Sequence, residues 1–321
     1  MLTLIGRKLI GLVPVLLAAS FLTFMLLSLL PGDPALQILG MSNPTPEQIE
    51  QVREELGLND SLPVRYWNWL SDAATGDLGS SFQTRQTVTA AIGERLPVTA
   101  QLMVMSLSMA VVVSIPLGVA VAYKAGSLFD RGVTAVTFGL LSIPNFVLAL
   151  FLIIVFAVEL GWFPATGWTR LSDSVPDSLR GAFLPSLSLA IGNVAVLTRL
   201  LRTDMIATLQ EDHVVMAKAK GLPTRQILFR HALRPSSFSL MTVLGLQVAA
   251  LLSGTVIIEQ IFALPGLGRL LLDRITNRDY IMVQGLVLFL ATVYVFVNFA
   301  IDILYSFLDP RIRHGKSRAT A

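Results

Sequence analysis

Six runs of this chain, residues 9–32, 96–123, 132–158, 181–198, 235–258 and 280–301, hold no Asp, Glu, Lys, Arg or His. Each is long enough to cross a bilayer as a helix, since about 20 residues rising about 1.5 Å apiece span about 30 Å of hydrocarbon. The fourth run is the shortest and holds Pro185, Gly192 and Asn193. It counts as a span because without it the basic segments on either flank fall on opposite sides of the membrane. Strands do not fit: the runs are continuously apolar, whereas a barrel strand alternates. Composition agrees, with 14% charged residues against about 25% in a soluble domain. The expected fold class is an all-α membrane protein with six transmembrane helices. Arg7 and Lys8 precede the first run as they would in a secretory signal, but that run exceeds the roughly 7–15 residues of a signal core and reads as a retained helix. Cysteine is absent, which removes disulfides, thiolate nucleophiles and Cys-based metal centres.

Charge distribution chooses an orientation. With the N-terminus in the cytoplasm, the inside segments hold Arg7 and Lys8, then Lys124 and Arg131, then seven basic residues from Arg199 to Arg234, then Arg311, Arg313, Lys316 and Arg318. All five lysines are inside, and 15 of the 21 acids are outside. That is the positive-inside asymmetry, and it puts both termini in the cytoplasm. The chain then divides into an N-terminus with helix 1 (1–32), an extracytoplasmic segment (33–95), a core with helices 2–6 (96–308) that includes a cytoplasmic loop (199–234), and a cytoplasmic tail (309–321).

The first outside segment is patterned. "TPEQIEQVREELGL" starts on Thr–Pro with early Glu and sets Ile49, Val52 and Leu56 at helical spacing. "LPVRYWNWLSDAATGDLGSSF" reads as a second short helix ending near Gly76, with Tyr66, Trp67 and Trp69 suited to a membrane-surface belt. The last outside loop, "FALPGLGRLLLDRITNRDY", reads as a turn and a short amphipathic helix.

The inside loop carries the sharpest signal. Its stretch "MAKAKGLPTRQILFRHALRP" holds Lys218, Lys220, Arg225, Arg230, His231 and Arg234 and no acid. The spacing predicts a helix over about 203–220, a stop at Gly221, Pro223 in the first turn of a new helix, and a short second helix over about 224–233. In that second helix Ile227, Leu228, Phe229, Ala232 and Leu233 alternate with arginines. Juxtamembrane basic residues often only hold topology or meet anionic lipid. A nucleic-acid helix-turn-helix is a poor fit for a short loop tied at both ends. A rigid helix with an apolar ridge and basic flanks suits docking into a protein partner's cleft.

"HVVMAKAKGLPTRQILFRHALRP" resembles the cytoplasmic coupling loop, the EAA loop, of binding-protein-dependent ABC importer permeases, in their dipeptide/oligopeptide/nickel branch. Ala217, Gly221 and Leu233 match the pattern. Val215 stands where the family has Glu, Met216 replaces the first Ala, His231 replaces Ile, and the final proline comes one place late, at Pro235. "LLPGDPA", "GDLGSSFQTRQTV", "ERLPVTAQL", "SIPNFVLALFLI", "LGWFPATGW" and "DILYSFLDPRIR" extend the likeness over nearly the whole chain. The resemblance implies one of two permease subunits in the cytoplasmic (inner) membrane of a bacterium. Its partners would be a homologous permease, two ABC ATPase subunits and an extracytoplasmic solute-binding protein, with ATP and Mg held by the ATPases and no cofactor in this chain. It implies an ATPase-coupling role for Ala217, Lys218, Lys220, Gly221, Leu222, Pro223, Arg225, Leu228, Phe229, Arg230 and Leu233. Di- or oligopeptides are the expected cargo; nickel, glutathione and other small solutes use similar permeases.

An enzyme is not expected. "PRIRHGKS" ends like a phosphate loop, but Pro310 occupies the first Gly position and no strand precedes it. His213, His231 and His314 are far apart in sequence and form no metal-ligand spacing. Polar residues in or near the spans are Gln101, Asn145, Asn193, Gln247, Asn298 and Asp302. The amides read first as interhelical hydrogen bonds, so no substrate pocket is assigned. The rival class, an ion-driven carrier, commonly needs ionisable groups at mid-membrane and internal repeats; the spans hold no ionisable residue before Asp302 and no repeat is evident.

Overall fold

The computed structural model describes residues 2–28, 35–36, 44–55, 57–81 and 83–308. Among them the regular structure is helical, with one isolated antiparallel bridge, Ser80 to Thr87. The helices are α1 (Leu2–Ser28), α2 (Pro46–Glu55), α3 (Leu62–Thr75), α4 (Val88–Tyr123), α5 (Leu128–Leu141), α6 (Asn145–Glu159), α7 (Val175–Thr208), α8 (Asp212–Ala219), α9 (Thr224–Ile261), α10 (Leu267–Thr276) and α11 (Tyr280–Leu308). The tail 309–321, with Pro310, His314 and its basic residues, lies outside the described residues, as do Leu56 and the side chain of Asp302.

Among the described residues four helices, α4, α7, α9 and α11, are long and apolar enough to cross a membrane, and α5 with α6 makes a fifth if that bent pair is one span. α1 carries a shorter apolar stretch, Ile10–Met25. The third apolar run, 132–158, is bent: α5 and α6 meet at 99°. Ile143 precedes Pro144 and is steered out of the α region, and Pro144 brings no N–H to continue the ladder. The last seven residues of α6, Ile153–Glu159, wind as a π-helix.

The chain forms two compact units, one of residues 1–99 and 265–296, the other of 100–264 and 297–321. In the first, α2 opens on a capping box: Thr45 N–H donates to Gln48 Oε1 at 2.9 Å, and Gln48 N–H to Thr45 Oγ1 at 3.3 Å. Val52 of α2 is buried with Ala35 and Ile281. α3 stops at Gly76, whose φ of 94° is open to glycine without strain. Tyr66 hydroxyl lies 2.8 Å from Ser20 Oγ, and Tyr66 and Trp69 pack on Phe24, fastening α3 to α1. Trp67 stays exposed. The amphipathic α10 buries Leu267 and Leu270 against Val88, Ile92, Met282 and Leu286. Ser81 Oγ donates to the buried Asp279 carboxylate at 2.6 Å, and Arg274 stands 3.5 Å from the same group.

α7 organises the second unit. It is 34 residues long, far beyond the expected 181–198. Charged residues end an apolar run without ending a helix: Ser174 caps the N-terminus by accepting Asp177 N–H, and Arg199 and Arg202 extend the other end. The core gathers Ala110 and Val119 of α4, Leu197, Leu201 and Met205 of α7, and Leu228, Ala232 and Leu240 of α9. Gly118 lets α4 approach this closely, since a Cβ there would stand 2.9 Å from Leu201 Cδ2. Gln101 makes the expected interhelical bond, donating to Ser178 Oγ at 3.0 Å, whereas Asn193 donates within its own helix to Leu189 O at 3.1 Å.

Candidate functional site

The segment from Arg199 to Pro235 folds as helix end, short helix, turn and helix start. The expected first helix over 203–220 is interrupted: α7 runs to Thr208, residues 209–211 turn, and α8 begins at Asp212. α8 ends in a Schellman motif. Leu222 N–H donates to Ala217 O at 3.3 Å and Gly221 N–H to Lys218 O at 3.0 Å, with Gly221 at φ 75°. The expected stop at Gly221 is thus where the chain turns, and the helix after it starts from Pro223.

The second helix is not a short separate element. Thr224 to Ile261 is one helical run of 38 residues, so the segment after Gly221 is the first turns of α9. Residues Ile227–Ala232 wind as a π-helix just before Pro235. Proline lacks the N–H that an α-helix would direct to the carbonyl of residue 231 and crowds that carbonyl; the wider turn accommodates it. The ring of His213 at the start of α8 takes up the position, with Nε2 3.3 Å from His231 O and Nδ1 3.1 Å from Glu211. The Nε2 contact ties α8 to the start of α9.

The coupling residues expected from sequence divide by burial. Ala217 and Leu228 turn into the molecule, Leu222 and Leu233 are half-buried, and Lys218, Lys220, Gly221, Pro223, Arg225, Phe229 and Arg230 are exposed. The expected ridge therefore contributes Ile227, Leu228 and Ala232 to the core and leaves Phe229 outside. On α8, Val215 and Met216 are also exposed, 53% and 58%. Both depart from the family pattern, and both add to the exposed apolar residues of the segment.

An ion pair links α5 and α7. Arg202 Nε donates to Asp130 Oδ1 at 2.6 Å and Arg202 Nη2 to Asp130 Oδ2 at 2.7 Å. Asp130 also accepts the Gly126 N–H at 2.8 Å, and Ser127 Oγ caps α5 by accepting Asp130 N–H at 3.2 Å. Asp130 is 3% exposed, so this clamp locks the turn before α5 onto α7. Near the other end, Thr208 and Ser236 hydroxyls lie 3.2 Å apart, joining the end of α7 to α9. Every connection of the segment leads into a long apolar helix. Among the described residues no His/Cys/Asp/Glu group is arranged to hold a metal ion.

Two family models cover the chain: residues 114–314 match the binding-protein-dependent transport system inner membrane component, and residues 1–103 match the N-terminal part of the same kind of membrane component. The chain belongs to this family. It is the permease subunit of an ABC importer and a multi-pass integral membrane protein. The permease is 42% identical over 314 residues to a protein of Brucella abortus named as a peptide transport system permease, covering 98% of this chain and 100% of that one. It is 38% identical over 336 residues to the di/tripeptide transport system permease protein DppB of Pseudomonas aeruginosa, covering 98% and 100%. Its fold is similar to a chain of the MetNI methionine ABC transporter in inward-facing conformations. The TM-score is 0.57 at 15% identity, over 68% of this permease and 96% of that chain.

Proposed function

We propose that this permease carries short peptides into a bacterium across the inner membrane, receiving them from an external solute-binding protein. In this reading the chain crosses six times, counting α1 and treating α5 with α6 as one crossing, with both termini in the cytoplasm. It works beside a homologous second permease and two ATPase subunits, which hold ATP and Mg. This chain performs no chemistry on the cargo. The peptide cargo rests on the names of the relatives just given.

The observation that carries the coupling role is the continuity of α9. Exposed Arg225, Phe229 and Arg230 stand on the first turns of a helix of 38 residues, and α8, with exposed Val215, Met216, Lys218 and Lys220, joins that helix through the Gly221 turn. An ATPase that grips this surface and changes shape on binding ATP moves α8 and the first turns of α9 together. Coupling requires such an element, biased from two sites. Ion-driven transport finds less support, because the fold and family are those of ATP-driven importers.

A cysteine at Phe229 is the sole thiol of the chain. With a cysteine placed in the ATPase cleft, Phe229→Cys is expected to crosslink, and ATP to change the yield. Gly221→Pro and Phe229→Asp are expected to lower peptide uptake at least tenfold while the chain still inserts. Pro cannot adopt φ 75°, and Asp puts a charge on the apolar contact. Uptake and ATPase recruitment at wild-type levels in both variants would overturn the coupling role.

A further inference from the structure

One face of α5 has no use in the roles above. Gly132, Ala135 and Gly139 recur along it at helical spacing, and all three are exposed. In a membrane, small residues so placed let another helix approach closely. At Gly118 that approach is made, since a Cβ there would stand 2.9 Å from Leu201 Cδ2; a Cβ at Gly132 or at Gly139 would meet nothing within 4 Å. The stripe is therefore an open groove on the second compact unit. Phe129 and Phe138, 43% and 51% exposed, are nine residues apart, which at about 3.6 residues per turn sets them half a turn out of phase on the two flanks of the stripe. Asp130 and Thr137, buried, lie on the opposite side of the helix.

Three cations border this groove. Lys124 Nζ lies over the Phe129 ring, 5.4 Å from its centroid, and the Arg199 guanidinium of α7 lies over the Phe138 ring at 5.1 Å. Arg131 stands on the Phe138 side of α5, seven residues and about 10 Å along the helix from that ring. All three are exposed, and among the described residues none of their side chains forms an ion pair. Asp130, the acid beside Arg131 in sequence, is already taken by Arg202, the Gly126 N–H and the Thr134 hydroxyl. Cations at the edge of an apolar span are costly unless an anion answers them. Here the described residues offer them only the faces of two rings.

We propose that this face of α5 binds one anionic phospholipid, its phosphate among Lys124, Arg131 and Arg199 and one acyl chain along the Gly132–Ala135–Gly139 groove. Such a lipid brings the missing anion and the apolar filling in one molecule, as basic pockets between membrane helices do for acidic headgroups. A zwitterionic lipid carries its own ammonium and answers three cations less well. An apolar helix laid on the stripe would cover the arginines without neutralising them. In the proposed topology the site lies in the inner leaflet. The inference uses only α5, the end of α7 and their place in a membrane, and is independent of the cargo and of the coupling surface.

The test is native mass spectrometry of the purified full chain in neutral detergent, titrated with phosphatidylglycerol or with phosphatidylcholine of the same acyl chains. One phosphatidylglycerol is expected to bind at least tenfold more tightly than phosphatidylcholine. Arg131→Gln and Arg199→Gln are each expected to bring the two lipids within threefold of each other. Gly139→Phe, which keeps every charge and fills the groove, is expected to weaken phosphatidylglycerol binding tenfold. Arg234→Gln makes the same charge change on α9 and is expected to leave the preference unchanged. Equal binding of the two lipids by the unaltered chain would overturn the proposal whether or not the variants fold. So would a loss in Arg234→Gln as large as in Arg199→Gln, which would mean a diffuse attraction, and so would displacement of the lipid by glycerol 3-phosphate, which would mean a site for a soluble anion. Since the chain has no cysteine, Ala135→Cys also tests the remaining occupant: a disulfide from it to a cysteine in a homologous permease would assign the groove to a helix and overturn the lipid site.

Discussion

Asp130 is an aspartate only 3% exposed, and its two oxygens are filled by Arg202 and by the Gly126 N–H. Breaking a fully buried pair costs about 3–5 kcal/mol, and water reaching Arg202, whose side chain is 29% exposed, offsets part of that. Asp130→Asn is therefore expected to lower unfolding stability by about 1–2 kcal/mol, and Arg202→Met added to it is expected to restore part of the loss. Unfolding by SDS titration in mixed micelles checks this; an Asp130→Asn chain as stable as the wild type would show that the clamp carries no load. Half of this arrangement is local: Ser127 caps α5 by accepting the N–H of Asp130, three places on. Arg202 is 72 residues away, and only the packing of α5 on α7 joins the two. Gly221, in contrast, is legible locally, because a glycine before Leu–Pro has few other uses. Phe229 and Leu228 are adjacent, and sequence alone does not say which one faces out. The π-turn at Ile227–Ala232 adds a residue to the turn and shifts the phase on which an α-helical reading depends.

The same π-turn decides how the elements of the loop hold together. α8 is short, eight residues, and a helix of that length is marginal in water without tertiary support. Val214 and Ala217 give it a buried face, and His213 ties its first turn to the carbonyl that Pro235 leaves without an α-helical donor. An exposed hydrogen bond contributes about 1 kcal/mol. His213→Ala is therefore expected to raise the open population of α8 about fivefold, which tryptic cleavage after Lys218 and Lys220 reads directly; an unchanged cleavage rate would mean that His213 does not fasten the helix. Element existence follows from hydrophobic runs, and element ends do not. α7 outlasts its apolar stretch because Arg199 rests over the Phe138 ring at 5.1 Å and Arg202 finds Asp130. The α5–α6 bend is written in Ile143–Pro144, yet its size of 99° depends on packing that no local motif encodes.

At the scale of the whole chain, the apolar runs make the membrane class legible, and the spread of lysines over the loops makes the orientation arguable. Grouping into two compact units was not legible, because α4 and α11 each contribute to both. The proposed topology puts α3 and the loop before α7 outside the cell, and the turn before α5 and the loop after α8 inside. Since the chain has no cysteine, single thiols report side without interference. Ala74, Thr166, Ala125 and Ala219 are suitable positions: Ala74, Thr166, Ala125 and Ala219 are exposed. In intact spheroplasts a membrane-impermeant maleimide is expected to label Ala74→Cys and Thr166→Cys, and to reach Ala125→Cys and Ala219→Cys only after the membrane is opened. The positive-inside asymmetry acts through short loops near the span ends, so the Ala125 loop, beside Lys124 and Arg131, is its strictest test. Labelling of Ala125→Cys in intact spheroplasts would reverse the orientation. The basic surface around Phe229 would then face away from cytoplasmic ATP, and the coupling role would fall with it.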